Sequence, residues 1–298
     1  MVYRKRKYDL TSIISYHTGP HHIQHLENLR ANGFATFKCD SFLSRGVAST
    51  SERQLACTMS NLQHDSYAAL NLLATHPGID SSRIGCTGWS LGGGAAVYNA
   101  LDAIGNRLGG PFGVRFASHL GFYPAAHYRP RGNWKWAQVP IGIIQGELDD
   151  YSPTFMCKDL VNHALKQGAR MALHIYPNAH HSFDRGNSMP VEFLPKVSKP
   201  TGTLDLQWPD GTLHVTGEPA GTAPATEYEE RRKNGWKYCD RGAHAGGNAI
   251  ETANAMRDTV EFFKQTLMGD AVLSHQFLPL MIKTEVTELQ PPPGSAKL

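Results

Sequence analysis

The sequence predicts an α/β fold, in which a mostly parallel, twisted sheet is covered by helices on both faces. Short apolar runs rich in β-forming residues alternate with longer helical patterns over residues 10–184, and this alternation is typical of such folds. The apolar runs are nearly continuous, as expected for strands that are buried on both faces. A length of 298 residues allows two domains of about 150 residues each, but it also suits one large α/β domain with insertions. We predict the single domain.

Strands and helices alternate in the predicted chain order. The strands cover residues 10–16, 34–39, 83–87, 116–122, 140–145 and 171–176. The helices cover residues 23–31, 63–74, 91–103, 154–167 and 248–268. Gly33, Pro77 and Gly168 follow three of these helical segments, and glycine or proline is typical just beyond a helix end. The predicted core of the domain therefore comprises residues 10–184 and 248–268, joined by an insertion.

The insertion spans residues 185–247 and is rich in Pro, Gly and Thr. Within it, residues 204–208 and 212–216 flank a Pro-Asp-Gly turn, a pattern that predicts a β-hairpin. We expect the insertion either to cap a cleft of the core or to decorate its surface. The C-terminal tail covers residues 269–298, and its proline-rich end is predicted to be disordered.

The composition excludes several classes of function. Hydrophobic residues make up 41% of the chain and charged residues 18%, which argues against a disordered polyelectrolyte or a coiled coil. The net charge of +3 is small and dispersed, so we expect a small-molecule partner and no nucleic acid. No run approaches the roughly 18 apolar residues of a transmembrane helix, and we expect no membrane span.

Location and redox state are predicted from the N-terminus and the cysteines. The segment after the basic residues 1–7 is too polar for the apolar core of a secretory signal. The cysteines are an odd, scattered set: Cys39, Cys57, Cys86, Cys157 and Cys239. Without a C-x-x-C pair, they indicate neither a structural zinc site nor a disulfide framework. We therefore predict a reduced, cytoplasmic setting.

The most informative segment is Gly88-Trp89-Ser90-Leu91-Gly92, a G-x-S-x-G motif between a predicted strand and a predicted helix. In that context the serine lies at the tip of a sharp, strained turn and is exposed for attack on a substrate, while the two glycines leave room where the chain crowds itself. The N-terminus of the following helix favours an oxyanion at the same place, with the Leu91 amide as one donor. The alternatives are a turn that only packs helix on sheet, or a phosphate site. No G-x-G-x-x-G or Walker motif supports the phosphate site.

An activated serine needs a base, and the base needs an acid that orients it. Asp149, after the fifth predicted strand, is our choice for the acid; Asp150 is the alternative, and capping of a helix near Ser152 would explain either residue without catalysis. His181, in the loop after the sixth predicted strand, is the predicted base. The chain order Ser90, Asp149, His181 is that of α/β-hydrolases.

The other histidines and several aromatic residues have simpler interpretations. Four histidines are expected to form a polar loop and the start of a helix rather than a metal site: His17, His21, His22 and His25. Five aromatic residues are candidates for lining an acyl or aryl pocket, although ordinary packing is favoured for each of them: Phe122, Tyr123, Trp134, Trp136 and Tyr151.

The segments around these candidates resemble the dienelactone hydrolase family of α/β-hydrolases, over residues 12–184 and the helix at 249–267. Four segments carry the resemblance, and the last is the most specific: residues 34–42, 80–93, 146–149 and 176–183. The resemblance implies the α/β-hydrolase fold and selects His181 over His180 as the catalytic histidine. Founding members of the family have a cysteine in the place of Ser90. The resemblance therefore implies the general esterase activity of serine-bearing relatives rather than lactone hydrolysis.

The family takes its second oxyanion donor from the loop after the first conserved strand. That loop is often H-G-x-G-G in the family, whereas residues 15–20 here are S-Y-H-T-G-P. An ungapped match makes Thr18 the donor, and alignment on His17 makes it Gly19. Pro20 has no N–H and cannot donate. The first predicted strand begins close to the start of the sequence, so the leading strands of the family are expected to be short or missing.

Together these observations predict a serine hydrolase that cleaves carboxylic esters of small molecules through an acyl-enzyme intermediate. The chemistry needs no metal or organic cofactor. One alternative is a serine peptidase similar to prolyl oligopeptidase, although the chain has no room for the propeller domain that such peptidases carry. The other alternative is a degenerate, non-catalytic hydrolase fold that binds a ligand. The sequence predicts neither the acyl and alcohol groups of the substrate nor the oligomeric state.

Overall fold

The computed structural model of the chain describes residues 2–4, 9–14, 19–51, 56–130, 135–206, 213–215 and 239–268. The strands in these ranges are β1 (Val2–Arg4), β2 (Asp9–Ile14), β3 (Ala35–Cys39), β4 (Ile84–Trp89), β5 (Ser118–Phe122), β6 (Tyr128–Pro130), β7 (Ile141–Gly146), β8 (Met171–Tyr176), β9 (Glu192–Pro200), β10 (Leu204–Leu206), β11 (Leu213–Val215) and β12 (Cys239–Ala245). The α-helices are α1 (Pro20–Ala31), α2 (Met59–Ala74), α3 (Leu91–Tyr98), α4 (Asp102–Leu108), α5 (Thr154–Lys166) and α6 (Ala249–Phe263).

The central sheet has the strand order β3-β2-β1-β4-β5-β7-β8 among the described residues. β1 is antiparallel to both of its neighbours, whereas the other paired strands are parallel. Beyond the short β1, β2 pairs directly with β4, with Ile13 opposite Thr87. The predicted fold class is confirmed, since each predicted strand corresponds to a strand of this sheet. β1 has no counterpart in the prediction, and residues 15 and 16 of the first predicted strand lie outside the described residues.

Four predicted helices correspond to α1, α2, α5 and α6, with boundaries that differ by a few residues. α2 begins earlier than predicted, with a capping box between Thr58 and Asn61. The box satisfies N–H groups that the first turn of a helix leaves without partners. At its other end, α6 continues as a π-helical turn, Lys264–Met268.

The prediction of one helix over residues 91–103 is wrong, because α3 and α4 are separate helices. The chain between them bonds to a neighbouring segment instead of continuing the helix. Ala137 N donates to the Ala100 carbonyl at 2.7 Å, and Leu101 forms an isolated bridge with Trp136. A tertiary contact has therefore overridden a favourable local helix pattern.

The hydrophobic core lies on both faces of the sheet. Along β7, Ile141 and Ile143 belong to the cluster with α2, α3 and α5, while Ile144 belongs to the cluster with α1 and α6. Buried helix side chains complete the two clusters: Leu62, Leu70, Val97 and Leu160 in the first, and Leu29, Phe262 and Phe263 in the second. Burial of each such side chain stabilises the fold by about 1.5–3 kcal/mol. This packing fixes the strand ends from which the site is built.

The insertion contributes two further β structures. β10 and β11 are antiparallel, with Leu204 opposite Val215, which confirms the predicted β-hairpin, and β10 also pairs with β6 in parallel. β9 and β12 form an antiparallel ribbon that has no counterpart in the sequence prediction. At the end of this ribbon Ala245 bridges to His181, and Gly246 N donates to the His181 carbonyl at 2.9 Å. The insertion is thus attached directly to a candidate site residue.

The cysteines form no disulfide bonds with one another in the described part of the chain. All five lie within the described residues and are free, and Cys57, Cys86 and Cys157 are buried. Burial raises the pKa of Cys86 to about 11, so this thiol stays protonated and packs as a small apolar group. In the part of the chain that the structure describes, no helix has both the length and the apolar character required to cross a bilayer.

A buried histidine makes the stability of the fold depend on pH. His119 lies on β5, and its Nδ1 donates to the Ala96 carbonyl oxygen at 2.8 Å. Burial disfavours the charged ring and lowers the pKa of His119 from 6.5 to about 4. As the pH falls, the unfolded chain therefore takes up this proton before the folded protein does. The stabilisation is complete above pH 6.5 and is lost as the pH falls toward 4.

We expect this one group to lower the free energy of unfolding by about 2 kcal/mol between pH 7 and pH 5. His119→Asn keeps a donor near the position of Nδ1 but does not titrate, so its loss of stability over the same range is expected to be smaller by that amount. Denaturant unfolding of both proteins at both pH values measures the difference. Equal losses in the two proteins would contradict the assignment.

Candidate active site

Ser90 lies at the sharp turn between β4 and α3. Its φ of 53° and ψ of −117° lie in a region that residues with side chains rarely adopt. Ser90 N donates to the Phe122 carbonyl at 2.9 Å, and Gly94 N donates to the Ser90 carbonyl at 2.9 Å. A Cβ on Gly93 would lie 2.5 Å from the Phe122 carbonyl oxygen, so this glycine lets α3 approach β5 closely. The turn thus places Ser90 at the carboxyl edge of the sheet.

Ser90, His181 and Asp149 are brought together at this edge. Asp149 follows β7 and His181 follows β8. Ser90 Oγ lies 3.0 Å from His181 Nε2, and His181 Nδ1 lies 2.9 Å from Asp149 Oδ2. Because an ionised carboxylate only accepts hydrogen bonds, Nδ1 carries the proton and Nε2 is left to accept from the Ser90 hydroxyl. His181 is 3% exposed and Asp149 4%, so water competes little for these bonds.

Asp149 uses its two oxygens for different purposes. Oδ1 accepts hydrogen bonds from the backbone N–H groups of Tyr151 and Ser152, at 2.9 and 2.8 Å. Oδ2 faces His181. Capping of the turn before α5 and contact with the histidine are therefore both functions of this one side chain.

Asp150, the alternative acid, is bound to the β9–β12 ribbon. It accepts hydrogen bonds from His244, from the backbone N–H at 2.8 Å and from Nδ1 at 3.0 Å, and it lies 3.6 Å from Lys199 Nζ. Burial works to raise the pKa of Asp150, but the His244 hydrogen bonds and the Lys199 charge outweigh it and lower the pKa. His180 also lies on the ribbon side, with its ring centroid 5.8 Å from that of His244. The geometry therefore brings Asp149 and His181, rather than their neighbours, to Ser90.

One of the predicted oxyanion donors lies beside Ser90. Leu91 is the first residue of α3, so its N–H has no carbonyl partner within the helix. Thr18 lies outside the described residues. Gly19, the other candidate for the second donor, is the N-cap of α1. A Cβ on Gly19 would clash with the His21 ring, so the backbone at this position is closely packed against a buried side chain.

The five aromatic candidates for a pocket fall into three groups: Tyr123 and Tyr151 beside His181, Phe122 and Trp136 in the core, and Trp134 outside the described residues. The ring centroids of Tyr123 and Tyr151 each lie 4.6 Å from that of His181. Tyr123 is buried and Tyr151 is half-buried. Tyr151 is therefore the described candidate that is accessible next to the histidine.

Comparison with protein families identifies the chain. The sequence profile of the dienelactone hydrolase family matches residues 18–193, which is more than half of the protein. The chain belongs to the dienelactone hydrolase family. Members of this family have the α/β-hydrolase fold, in agreement with the sheet described above, and the protein is accordingly a hydrolase that acts on ester bonds.

Solved structures that are similar to this chain include several forms of esterase 2 from Thermogutta terrifontis. The propionate-bound form is 15% identical, covers 61% of this chain and 79% of its own, and has a TM-score of 0.47. The form phosphonylated by cyclosarin is 16% identical, covers 61% and 78%, and has a TM-score of 0.45. Comparison with curated protein sequences gives no match. The family assignment therefore rests on the sequence profile.

In this dienelactone hydrolase family member, the histidines of α1 are buried. His21, His22 and His25 lie in the first turns of α1, as the predicted helix start requires. The expectation that they form a polar surface is wrong, because this part of α1 faces the turn at Ser90 and buries them. His17 lies outside the described residues. The rings of His22 and His25 pack against Trp89, with centroids 4.6 and 5.4 Å away. Among the described residues, no three or more His, Cys, Asp or Glu side chains are grouped so as to hold a metal ion.

Sequence reasoning missed Asp184, a buried carboxylate behind the site of this family member. Trp89 Nε1 donates to its Oδ2 at 2.7 Å, and the Tyr123 hydroxyl donates to its Oδ1 at 2.7 Å. His25 Nε2 lies 3.1 Å from Oδ2. Burial works to raise the pKa of Asp184, but the close His25 ring and the other nearby imidazoles outweigh it and hold the pKa well below the ordinary value. The only available sequence signal is that Asp184 comes three residues after His181.

Proposed function

We propose that this protein is a serine carboxylesterase that hydrolyses small-molecule esters through an acyl-enzyme intermediate. The observation that carries the proposal is the continuous chain of contacts from Ser90 Oγ through His181 to Asp149, at 3.0 and 2.9 Å. A serine hydroxyl is a weak nucleophile at neutral pH unless an adjacent base removes its proton. A protonated Nδ1 on His181 leaves Nε2 free to act as that base.

In the acylation step of this proposal, His181 Nε2 takes the proton of Ser90 as Ser90 Oγ attacks the ester carbonyl carbon. The carbonyl π electrons move to oxygen and form an oxyanion in a tetrahedral intermediate. When the intermediate collapses, the bond to the alcohol breaks, and the alcohol takes the proton from His181. Ser90 is left as an acyl ester.

In the deacylation step, His181 removes a proton from water, and the resulting hydroxide oxygen attacks the acyl carbon. Collapse of the second tetrahedral intermediate breaks the bond to Ser90, which recovers its proton from His181. Asp149 keeps the Nδ1 proton in place and stabilises the imidazolium that forms in both steps.

The proposed oxyanion donors are the Leu91 N–H and an N–H of the segment that precedes α1. The first turn of α3 adds the positive end of the helix dipole at the same place. Thr18 and Gly19 are the two candidates for the second donor, and Pro20 has no N–H to offer. A missing oxyanion donor costs about 10²–10³-fold in kcat, so both positions are important for the rate.

The proposal is tested with the purified full chain and two kinds of substrate. A panel of p-nitrophenyl esters of increasing acyl length is assayed in parallel with aminoacyl p-nitroanilides. A fluorophosphonate probe is applied to the native protein and, as a control, to heat-denatured protein. We expect hydrolysis of the esters, no hydrolysis of the anilides, and labelling of the native protein alone, with the adduct on Ser90 by peptide mass spectrometry.

Two outcomes would overturn the proposal. Cleavage of anilides as fast as esters would indicate a peptidase similar to prolyl oligopeptidase. Absence of both hydrolysis and labelling would indicate a degenerate hydrolase fold that binds a ligand. The dependence of the rate on acyl length would in addition define the acyl specificity.

A further inference from the structure

A single buried carboxylate touches the segments that carry the proposed catalytic groups. Asp184 is 0% exposed and lies in the short 3₁₀ helix Phe183–Ser188. Its two oxygens contact side chains from three other elements, namely Trp89 of β4, Tyr123 at the end of β5 and His25 of α1. A buried charge is costly unless it is paired and hydrogen-bonded, so the positions of these partners are tightly coupled to that of Asp184.

The contact with Trp89 acts on the residue that precedes Ser90. Trp89 Nε1 donates to Asp184 Oδ2 at 2.7 Å, and the indole ring stacks on Phe122 with centroids 5.0 Å apart. Hydrogen bonds to an ionised acceptor are about twice as strong as neutral ones. Asp184 therefore limits movement of the Trp89 side chain, and with it movement of the strained Ser90 backbone.

The contact with Tyr123 acts on the histidine. The Tyr123 hydroxyl donates to Asp184 Oδ1 at 2.7 Å, and the Tyr123 ring lies 4.6 Å from the ring of His181. Two residues of this region have positive φ, Tyr123 at 33° and Ser182 at 61°. Such strained backbone geometry persists only where several surrounding contacts hold it in place. Asp184 bonds to the first of these residues and lies two positions after the second, on the same loop as His181.

The contact with His25 reaches the segment of the second proposed oxyanion donor. His25 Nε2 lies 3.1 Å from Asp184 Oδ2. His25 follows His21 by one turn of α1. The His21 ring packs against Gly19, and burial is the main cause that lowers the pKa of His21 to about 4, so this ring is neutral at pH 7. The start of α1 is therefore linked, through His25, to the same carboxylate as the other two segments.

We propose that Asp184 is a positioning residue that holds the Ser90 turn, the His181 loop and the start of α1 in the geometry needed for attack on the ester. This inference rests on the proposed function, because it concerns the reactivity of Ser90. Asp184 does not contact the reacting atoms and acts through Trp89 and Tyr123. Trp89 Nε1 can only donate and the Tyr123 hydroxyl donates here, and an ionised carboxylate gives both of them a charged acceptor.

Asp184→Asn is the variant that removes this property with the least change of shape. Asparagine accepts with one oxygen and presents N–H groups on the other side. Opposite Trp89 these groups meet a second donor, and opposite Tyr123 they force the hydroxyl to turn and accept, so at least one of the two partners loses its ionised acceptor and shifts. A displacement of about 1 Å between reacting groups costs about 10²-fold in rate. We expect the rate constant for phosphonylation of Ser90 to fall by that factor.

Tyr123→Phe tests the same contact without changing the carboxylate. It removes the hydroxyl that bonds to Asp184 and keeps the ring next to His181, and we expect a fall of about tenfold, by the same argument of partial displacement. Tyr67→Phe is the matched control. The Tyr67 hydroxyl is also buried and donates to the Asn99 carbonyl at 2.9 Å, but it belongs to α2 and makes no contact with the described residues of the site.

Titration with a fluorophosphonate separates positioning from loss of folded protein, because it gives both the number of reactive sites and the rate constant per reactive site. We expect close to one reactive site per chain in all the proteins, slower reaction per site in Asp184→Asn and Tyr123→Phe, and the wild-type rate constant in Tyr67→Phe. If Asp184→Asn does not fold, Tyr123→Phe decides the question alone.

Fewer reactive sites that each react at the wild-type rate would overturn the inference, since Asp184 would then only stabilise the fold. A Tyr67→Phe variant as slow as Tyr123→Phe would overturn it as well. If the wild-type protein itself does not react, the proposed function fails, and this inference fails with it. If the wild-type protein reacts and the variants react at the same rate, the inference about Asp184 is wrong while the proposed function stands.

Discussion

Ser90→Ala is expected to lower kcat for ester hydrolysis by about five to six orders of magnitude. The variant has no Oγ to form the acyl-enzyme, and His181 then has no hydroxyl to deprotonate. The catalysis that remains comes from the oxyanion donors and substrate binding alone. The hydroxyl makes one described contact, to His181 Nε2 at 3.0 Å, so we expect the free energy of unfolding to change by less than about 1 kcal/mol.

The measurement is hydrolysis of the best p-nitrophenyl ester by wild type and variant at equal concentrations, with denaturant unfolding of both. Ser82→Ala is a matched control, because Ser82 is exposed at the opposite end of β4 and its hydroxyl bonds locally to Asp80 at 2.6 Å. It should retain wild-type activity. A Ser90→Ala protein that keeps substantial activity while folded would rule out Ser90 as the nucleophile.

The core of the fold was predictable because its determinants are local. Strands β7 and β8 are mostly apolar, as is typical of parallel strands that are buried on both faces. The turn at Ser90 is recognisable for a similar reason, since a strand, a G-x-S-x-G motif and a helix follow one another within a few residues. The break after Tyr98 was not predictable, because it depends on Trp136 and its neighbours, which are distant in sequence.

The contacts around Asp184 illustrate the other limit of sequence reasoning. Trp89 is 95 residues away along the chain and Tyr123 is 61, and nothing in a single sequence links such positions. The histidines of α1 look polar in the sequence, yet they are buried because the start of α1 packs against Trp89. The β9–β12 ribbon is a comparable case, since a pairing between β9 and β12 has no local turn signal.

Asp149→Asn is expected to lower kcat by about 10⁴-fold, and the reason follows from the two oxygens of Asp149. The asparagine Oδ1 can still accept from the N–H groups of Tyr151 and Ser152, so the turn is retained. Its amide nitrogen then faces His181 Nδ1 and donates to it. The His181 proton moves to Nε2, which can no longer accept the proton of Ser90. The expected defect is the wrong tautomer in an intact fold.

Asp150→Asn is the matched comparison, one residue further along. The new side chain can still accept from the His244 backbone N–H, and its amide nitrogen can donate to His244 Nδ1 once that ring carries its proton on Nε2. It loses the charge opposite Lys199, a partly exposed pair worth about 1 kcal/mol or less. We expect kcat to change by less than about tenfold, since Asp150 does not contact His181. The kcat of both variants is measured per reactive site, as counted by fluorophosphonate titration. The variant with the large loss identifies the acid that orients His181. A large loss in Asp150→Asn with a small one in Asp149→Asn would transfer the role to Asp150 and would require the ribbon to move when substrate binds.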